Sequence, residues 1–300
     1  LIYKTKPRSY KELPIRMAEL GIVHRQELSG VLAGLFRVIK FTQDDAHIYC
    51  TEKQLEQEIE KVIELTKRIY KKFKFSYRME LSTKPEKRIG SDEQWDKAEK
   101  VLKNVLKKKK IKYKLNEGAG AFYGPKIDFH IKDSLGREWQ CATIQLDFAM
   151  PERFDLTYTG EDNKEYRPVM VHRAVLGSLE RFIGVLLEHT NGNLPTWLSP
   201  IQVRIISFTD RNIKACKKLI EQLAKDIPNL RIDTDFRDDT VNSKVRDAEI
   251  SRIPYMIVIG DKEEKSKTLA VRNRGNKKVK YGIKLDKFIK DIKQEIEDRK

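Results

Sequence analysis

A chain of 300 residues with 39% hydrophobic and 35% charged side chains has enough material for two domains, each with its own core. No apolar run approaches the ~20 residues a bilayer span needs, and Cys50, Cys141 and Cys216 are too few and too scattered for a disulfide framework, which suits a reducing, cytoplasmic setting and no membrane. The net charge of +16 is uneven: residues 201–300 carry 25 Lys and Arg against 17 Asp and Glu, which fits a polyanionic partner such as nucleic acid as well as it fits plain decoration with lysine.

The opening LIYKTKPRSYKELPIRM lacks the apolar centre of a signal peptide. In HRQELSGVLAGLFRVIKF, Arg25 and Glu27 are expected on one strand face, ahead of a glycine-bearing loop and Arg37. Arg suits bidentate phosphate binding, and a carboxylate suits an amine donor. FTQDDAHIYC then alternates: Phe41, Gln43, Asp45, His47 and Tyr49 share one face, and Thr42, Asp44, Ala46, Ile48 and Cys50 the other. An amide, a carboxylate and an imidazole in line make a poor core face but a usable pocket floor.

TEKQ and SDEQ, at Thr51 and Ser91, carry capping-box patterns that predict two long helices. Leu55, Ile59, Val62, Ile69 and Phe73 form the apolar stripe of the first; Trp95, Ala98, Leu102 and Val105 form that of the second. EGAGAFYGPKIDF predicts a tight glycine turn into a strand, with Tyr123 and Lys126 in reach of a ligand; it lacks the signature of a P-loop. QCATIQLDF supplies a second polar strand face through Cys141, Thr143, Gln145 and Asp147. VMVHRAVLGSLERFIGVLLEH predicts a strand passing into a helix with Leu176, Leu179, Ile183 and Leu187 as its stripe. His172 stands at its mouth, and Gly177 inside it suggests a close approach.

NGNLPTWLSP, with its Gly and two prolines, predicts a linker and a division into residues 1–195 and 196–300. Strand segments around inserted helices predict an α+β first domain with an antiparallel sheet. Alternation of strands and helices after residue 200 predicts an α/β second domain with a mainly parallel or mixed sheet.

Together these segments resemble the class II aminoacyl-tRNA synthetases, and among them the threonyl-tRNA synthetase family. HRQELSG…LFRVIKFTQDDAHIYC is similar to that family's motif 2 and VMVHRAVLGSLERFIG to its motif 3. RIGSDEQWDKAE, GAGAFYGPKIDF, QCATIQLDF and PYMIVIGDKE…VRNR are similar to further family segments, so the likeness covers nearly the whole chain. It implies an α+β class II core followed by an anticodon-binding domain, an enzyme that joins threonine to tRNA(Thr) at the expense of ATP, Mg²⁺ with the ATP, a bound Zn²⁺, and a homodimer. It further implies that Arg25 and Arg181 hold ATP phosphates, that Glu27 takes the adenine amine and Phe41 the ring, and that Arg37 contacts the α-phosphate. Gln140, Thr143 and Ser178 would complete the nucleotide site. Gln43, Asp45, Tyr123 and Gln145 would hold threonine, and Lys126 would steady the reacting groups. His47 and His172 would be zinc ligands, and Glu263 and Arg272 would read the anticodon. The family's motif 1, its third zinc ligand (a Cys) and its editing domain have no counterpart in these residues. The expectation is therefore an N-terminally truncated chain with that Cys upstream of residue 1. A prolyl-type synthetase, a non-catalytic RNA-binding paralogue and a basic structural protein are the rival readings.

Overall fold

The computed structural model describes residues 1–28 and 30–299, which fall into two compact units that divide between residues 189 and 190. Among these residues no helix is long and apolar enough to cross a membrane.

The first unit is built on β1 (Ile15–His24), β2 (Lys40–Cys50), β3 (Tyr77–Ser82), β4 (Lys114–Asn116), β5 (Lys126–Lys132), β6 (Glu138–Asp147) and β9 (Val169–Ala174), with a separate hairpin of β7 (Tyr158–Thr159) and β8 (Glu165–Tyr166). The seven strands lie in the order β1-β2-β9-β6-β5-β3-β4. All neighbours are antiparallel except β3 and β4. That exception departs from the antiparallel expectation and follows from α2 (Asp92–Lys108): a helix between two strands supplies the long crossover that parallel pairing requires. β1 is a strand the periodicity did not reveal. Its burial alternates only at its two ends, because it is the sheet edge.

α1 (Glu52–Lys72) and α2 begin where their capping boxes predict. Thr51 Oγ accepts from Gln54 N at 3.3 Å while Gln54 Oε1 accepts from Thr51 N at 3.0 Å, and Ser91 and Gln94 repeat the exchange. In α1 the buried face is Leu55, Ile59, Val62, Ile63, Thr66 and Tyr70, so the stripe turns away from Ile69 and Phe73. The reason is polar: the buried Tyr70 hydroxyl donates to Val175 O and accepts from Ala142 N, both at 2.9 Å. That leaves Tyr70 a better inward residue than its apolar neighbours. Each large side chain so buried contributes about 1.5–3 kcal/mol. After the short α3 (Ala149–Arg153), the last helix of the unit, α4 (Leu179–His189), buries Phe182, Val185 and Leu186. Ile183 and Leu187, expected in its stripe, are exposed.

The second unit has the strand order β11-β10-β12-β13-β14, from β10 (Val203–Ser207), β11 (Ile232–Asp235), β12 (Tyr255–Ile259), β13 (Thr268–Asn273) and β14 (Lys280–Lys284). β10, β11 and β12 are parallel; β13 and β14 are antiparallel. The switch has a length cause. α5 (Ile213–Asp226) and α6 (Val241–Ile250) provide the first two crossovers, whereas only residues 260–267, holding the short α7 (Asp261–Ser266), separate β12 from β13. That is below the dozen or so residues of a parallel connection. One face packs on α5 and on α8 (Leu285–Glu297) through Val203, Ile205, Ile257 and Val271; the other packs on α6 through Ile206 and Met256. The stretch read as a linker belongs to this unit: Gln202 Nε2 donates to Thr196 O and Arg231 Nε to Ser199 O, both at 2.9 Å.

β1 is fastened to α1 by Glu58, 1% exposed, whose two carboxylate oxygens accept from Arg16 at 2.7 Å each while Lys61 approaches at 2.8 Å. Burial pushes its pKa up, but the Arg16 and Lys61 hydrogen bonds outweigh this and leave it below the ordinary carboxylate value. A lowered folded-state pKa contributes stability that is complete above the unfolded value near 4.5 and is lost as pH falls through the folded one. We therefore expect Glu58→Gln to cost about 1.5–3 kcal/mol at neutral pH, and the difference from wild type to shrink below pH ~4. Urea melts at pH 7 and pH 3 check both.

Candidate functional site

Strand register assembles the site. Lys126 pairs with Gln145 across β5 and β6, Gln145 with His172 across β6 and β9, and His172 with His47 across β9 and β2. One row of polar side chains thus crosses four strands, each step about 4.8 Å. It forms part of the floor of an open cleft of about 660 Å³. On β2 the faces divide as the alternation predicts: Phe41, Gln43, Asp45 and His47 line the cleft, while Ala46, Ile48 and Cys50 are buried in the core. All fifteen residues of the first unit proposed as site residues line this one cleft.

Above the row, the Tyr123 hydroxyl donates to Gln145 Oε1 at 2.8 Å and its ring lies 5.3 Å from that of His172. Burial, then Asp147 and Asp45, raise the phenol's pKa, which keeps it a donor. Tyr123 is held by a turn that only glycine permits: a Cβ on Gly124 would stand 1.8 Å from Leu146 O.

A β-bulge shapes the next row. β5 advances from Asp128 to His130 while β6 retreats from Thr143 to Gln140. Two residues against three bring Gln140 and Thr143 onto the same face despite their odd spacing. There Asp128, 2% exposed, gathers the Lys126 ammonium at 2.7 Å, Gln140 Nε2 at 2.6 Å and the Thr143 hydroxyl at 2.8 Å. Three proposed site residues therefore take their positions from one carboxylate that the sequence reading passed over. Its signal was present: Asp128 follows Lys126 at the two-residue strand period.

The cationic wall comes from three segments. Arg25 and Glu27 do not share a strand face, because β1 ends at His24; Arg25 N still reaches Ile39 O at 2.9 Å, and its guanidinium lies over the Phe41 ring at 5.1 Å. Ser29, within the same quoted segment, lies outside the described residues. Arg37 is paired with Glu27 at 2.9 Å. Arg181 donates to Phe36 O and Gln140 O, both at 2.8 Å. Burial lowers its pKa, as do Arg37 and Arg25, yet a guanidinium stays charged. Three cations converging on one cleft favour a polyanion. Gly177 sits outside α4, not inside it, with φ +81 and no room for a Cβ, which would lie 2.7 Å from Cys141 O. Ser178 follows, and its Oγ accepts from Arg181 N at 3.1 Å.

The two histidines meet with ring centroids 4.8 Å apart. His172 Nε2 bonds Asp147 at 2.9 Å, which leaves Nδ1 for another partner, and His47 Nδ1 lies 3.8 Å from Asp45. Burial, then His172, lower the His47 pKa and favour the neutral, ligating imidazole. An imidazole pair backed by a carboxylate suits two positions of a zinc shell. Among the described residues no group of three or more His, Cys, Asp or Glu side chains is placed to hold a metal ion; Cys50 and Cys141 are both buried.

Glu263 and Arg272 lie in the second unit. Glu263 accepts from Gly260 N at 3.1 Å, closing the cap of α7, and Arg272 Nε lies 3.4 Å from Glu249 of α6.

Residues 1–190 match the family described as tRNA synthetase class II core domain (G, H, P, S and T), and residues 202–295 match the anticodon binding domain family. Curated relatives named threonine–tRNA ligase are 53% identical over 300 residues in Thermotoga neapolitana and 54% over 299 in Desulfatibacillum aliphaticivorans. In both cases the match takes in all of this chain but 46% of theirs, so the chain spans about half their length. The solved RNA binding domain of threonyl-tRNA synthetase from Cryptosporidium parvum superposes with a TM-score of 0.93 at 41% identity, covering 98% of this chain and 73% of that one. Prolyl-tRNA synthetase from the same organism superposes with a TM-score of 0.70 at 17% identity over 99% of this chain and 56% of that one, a likeness of fold.

Two glycines give a matched test of the site's turn. Gly124→Ala should cost about 1–3 kcal/mol through overpacking against backbone. Gly21→Ala, whose Cβ would meet only the flexible Glu19 side chain, should stay within about 0.5 kcal/mol. Thermal midpoints of the two variants decide it.

Proposed function

The chain belongs to the threonyl-tRNA synthetase family of class II aminoacyl-tRNA synthetases, and on that premise we propose that its cleft joins threonine to ATP as threonyl-adenylate and then passes the acyl group to tRNA(Thr). The single observation that carries this reading is the row Lys126–Gln145–His172–His47 beside three converging arginines. An amino-acid pocket and a phosphate wall adjoin.

The threonine carboxylate attacks the α-phosphorus of ATP. A new O–P bond forms, the bond to the bridging oxygen breaks, and pyrophosphate leaves. Arg25 and Arg181 hold phosphates and Arg37 offsets charge at the reacting phosphorus, so the rate comes from positioning and preorganised electrostatics. Glu27 accepts from the adenine amine and the ring lies on Phe41. Gln140, Thr143 and Ser178 fix the rest of the nucleotide, and Lys126 steadies the carboxylate. Gln43, Asp45, Tyr123 and Gln145 orient threonine. The Mg²⁺ that accompanies ATP belongs to the substrate. His47 and His172 would hold a zinc ion; when bound it supplies a Lewis acid for the substrate amine and hydroxyl. A site that must satisfy a hydroxyl rejects the near-isosteric valine far better than an apolar pocket does.

In the second unit, Glu263 and Arg272 contact the anticodon, where unstacked bases offer their edges. The excess of basic residues there supports an RNA partner. A second copy is taken to cover the edge strand β1, whose Leu20 and Ile22 are 66% and 63% exposed. The cytoplasm, where ATP and tRNA reside, is the proposed compartment.

ATP–pyrophosphate exchange tests the reading in the intact protein. Threonine should support it, and valine should fall short by about 10⁴-fold or more, the discrimination expected of a hydroxyl-reading site. Equal exchange with valine contradicts the hydroxyl-reading pocket. Zinc content of the same preparation should approach one ion per chain, and removing it should abolish threonine-dependent exchange.

A further inference from the structure

We propose that Asp44, which does not line the cleft, is a positioning residue for adenylate formation, acting on the phosphate side and leaving the amino-acid side alone. The proposal rests on the adenylation reading above.

Asp44 lies between Gln43 and Asp45 but on the opposite face of β2, and its side chain is 13% exposed. From there it reaches the turn between β9 and α4. One carboxylate oxygen accepts from Val175 N at 2.8 Å; the other accepts from Leu176 N at 3.0 Å and Gly177 N at 3.2 Å. Arg173 lies 3.6 Å away and also donates to Asp44 O at 3.3 Å. A mostly buried carboxylate that takes three successive backbone N–H groups is an anchor for that turn.

What the turn carries makes the anchor functional. Its last residue, Gly177, holds φ +81 against the Cys141 carbonyl. Ser178 and Arg181 come next, and the Arg181 guanidinium finds Phe36 O and Gln140 O at 2.8 Å each. The link is reciprocal. Both oxygens of Glu180, in the first turn of α4, lie 3.0 Å from Thr42 N on β2, so strand and helix hold each other at two points. His47 is held by both the β1 and β9 ladders and Asp45 by β1, while Gln43 pairs with Gly21 of β1 and also bridges to Ser178. Loss of the Asp44 carboxylate therefore releases the turn and Arg181 while the amino-acid row stays in place.

The test is steady-state ATP–pyrophosphate exchange by the intact wild-type protein, Asp44→Ala and Asp44→Asn, with thermal unfolding alongside. Misplacement by about 1 Å costs on the order of 10²-fold, so Asp44→Ala should lose about 10²-fold in kcat and raise the KM for ATP. Asp44→Asn, which keeps one acceptor, should lose about tenfold. The KM for threonine should stay within about twofold in both, a split that general loosening of the fold does not produce. If Asp44→Ala does not fold, Asp44→Asn decides. Unaltered kcat in a folded Asp44→Asn, equal shifts of both KM values, or failure of Asp44→Asn itself to fold overturns the proposal while an active wild type leaves adenylation standing. A wild type without exchange for any amino acid overturns the adenylation reading and the proposal with it.

Discussion

The register of four antiparallel strands is the constraint from which the cleft follows. β5, β6, β9 and β2 bring Lys126, Gln145, His172 and His47 opposite one another. A slip of one residue in any of them would turn its polar set into the core and its apolar set into the cleft. The register is protected from below. Ala46, Ile48 and Cys50 of β2, Ile144 and Leu146 of β6 and Val171 of β9 are all nearly inaccessible, and α1 closes over them with Tyr70 bonded to backbone on β6 and beyond β9. The apolar face thus fixes where the polar face stands.

Three carboxylates do the local positioning, each from a different depth. Asp128 gathers Lys126, Gln140 and Thr143. Asp147 orients His172 and closes the turn into the next helix by accepting from Ala149 N and Met150 N. Asp44 holds the turn that leads to Ser178 and Arg181. Each is nearly buried, and each has the several donors that a buried anion requires. The net effect is a cleft with a cationic wall in which, Asp45 apart, the anions serve mostly as fixed supports, an arrangement suited to gripping phosphates.

Much of this was legible from residue order because period two and period 3.6 are strong signals. The division of FTQDDAHIYC into a polar and an apolar face, the two capping boxes and the close approach at Gly177 follow from local chemistry. What was hidden depended on contacts far apart in sequence. β1 was missed because an edge strand need not alternate. The α1 stripe was drawn through Ile69 and Phe73 because nothing local tells that Tyr70 finds Val175, 105 residues away. Gln140 joins Thr143 only through a bulge, which no strict alternation can foresee. The exposed Ile183 and Leu187 on α4 show the converse, that an apolar stripe alone does not say which side meets the sheet.

The central claim is that one row on the sheet receives the amino acid while the arginine wall beside it receives the nucleotide. The most direct measurement is the crystal structure of the intact protein with a non-hydrolysable threonyl-adenylate analogue. The account predicts the threonyl group over Gln145, His172 and His47, and the adenine against Phe41. An analogue bound with its ends reversed, or away from this row, would contradict it.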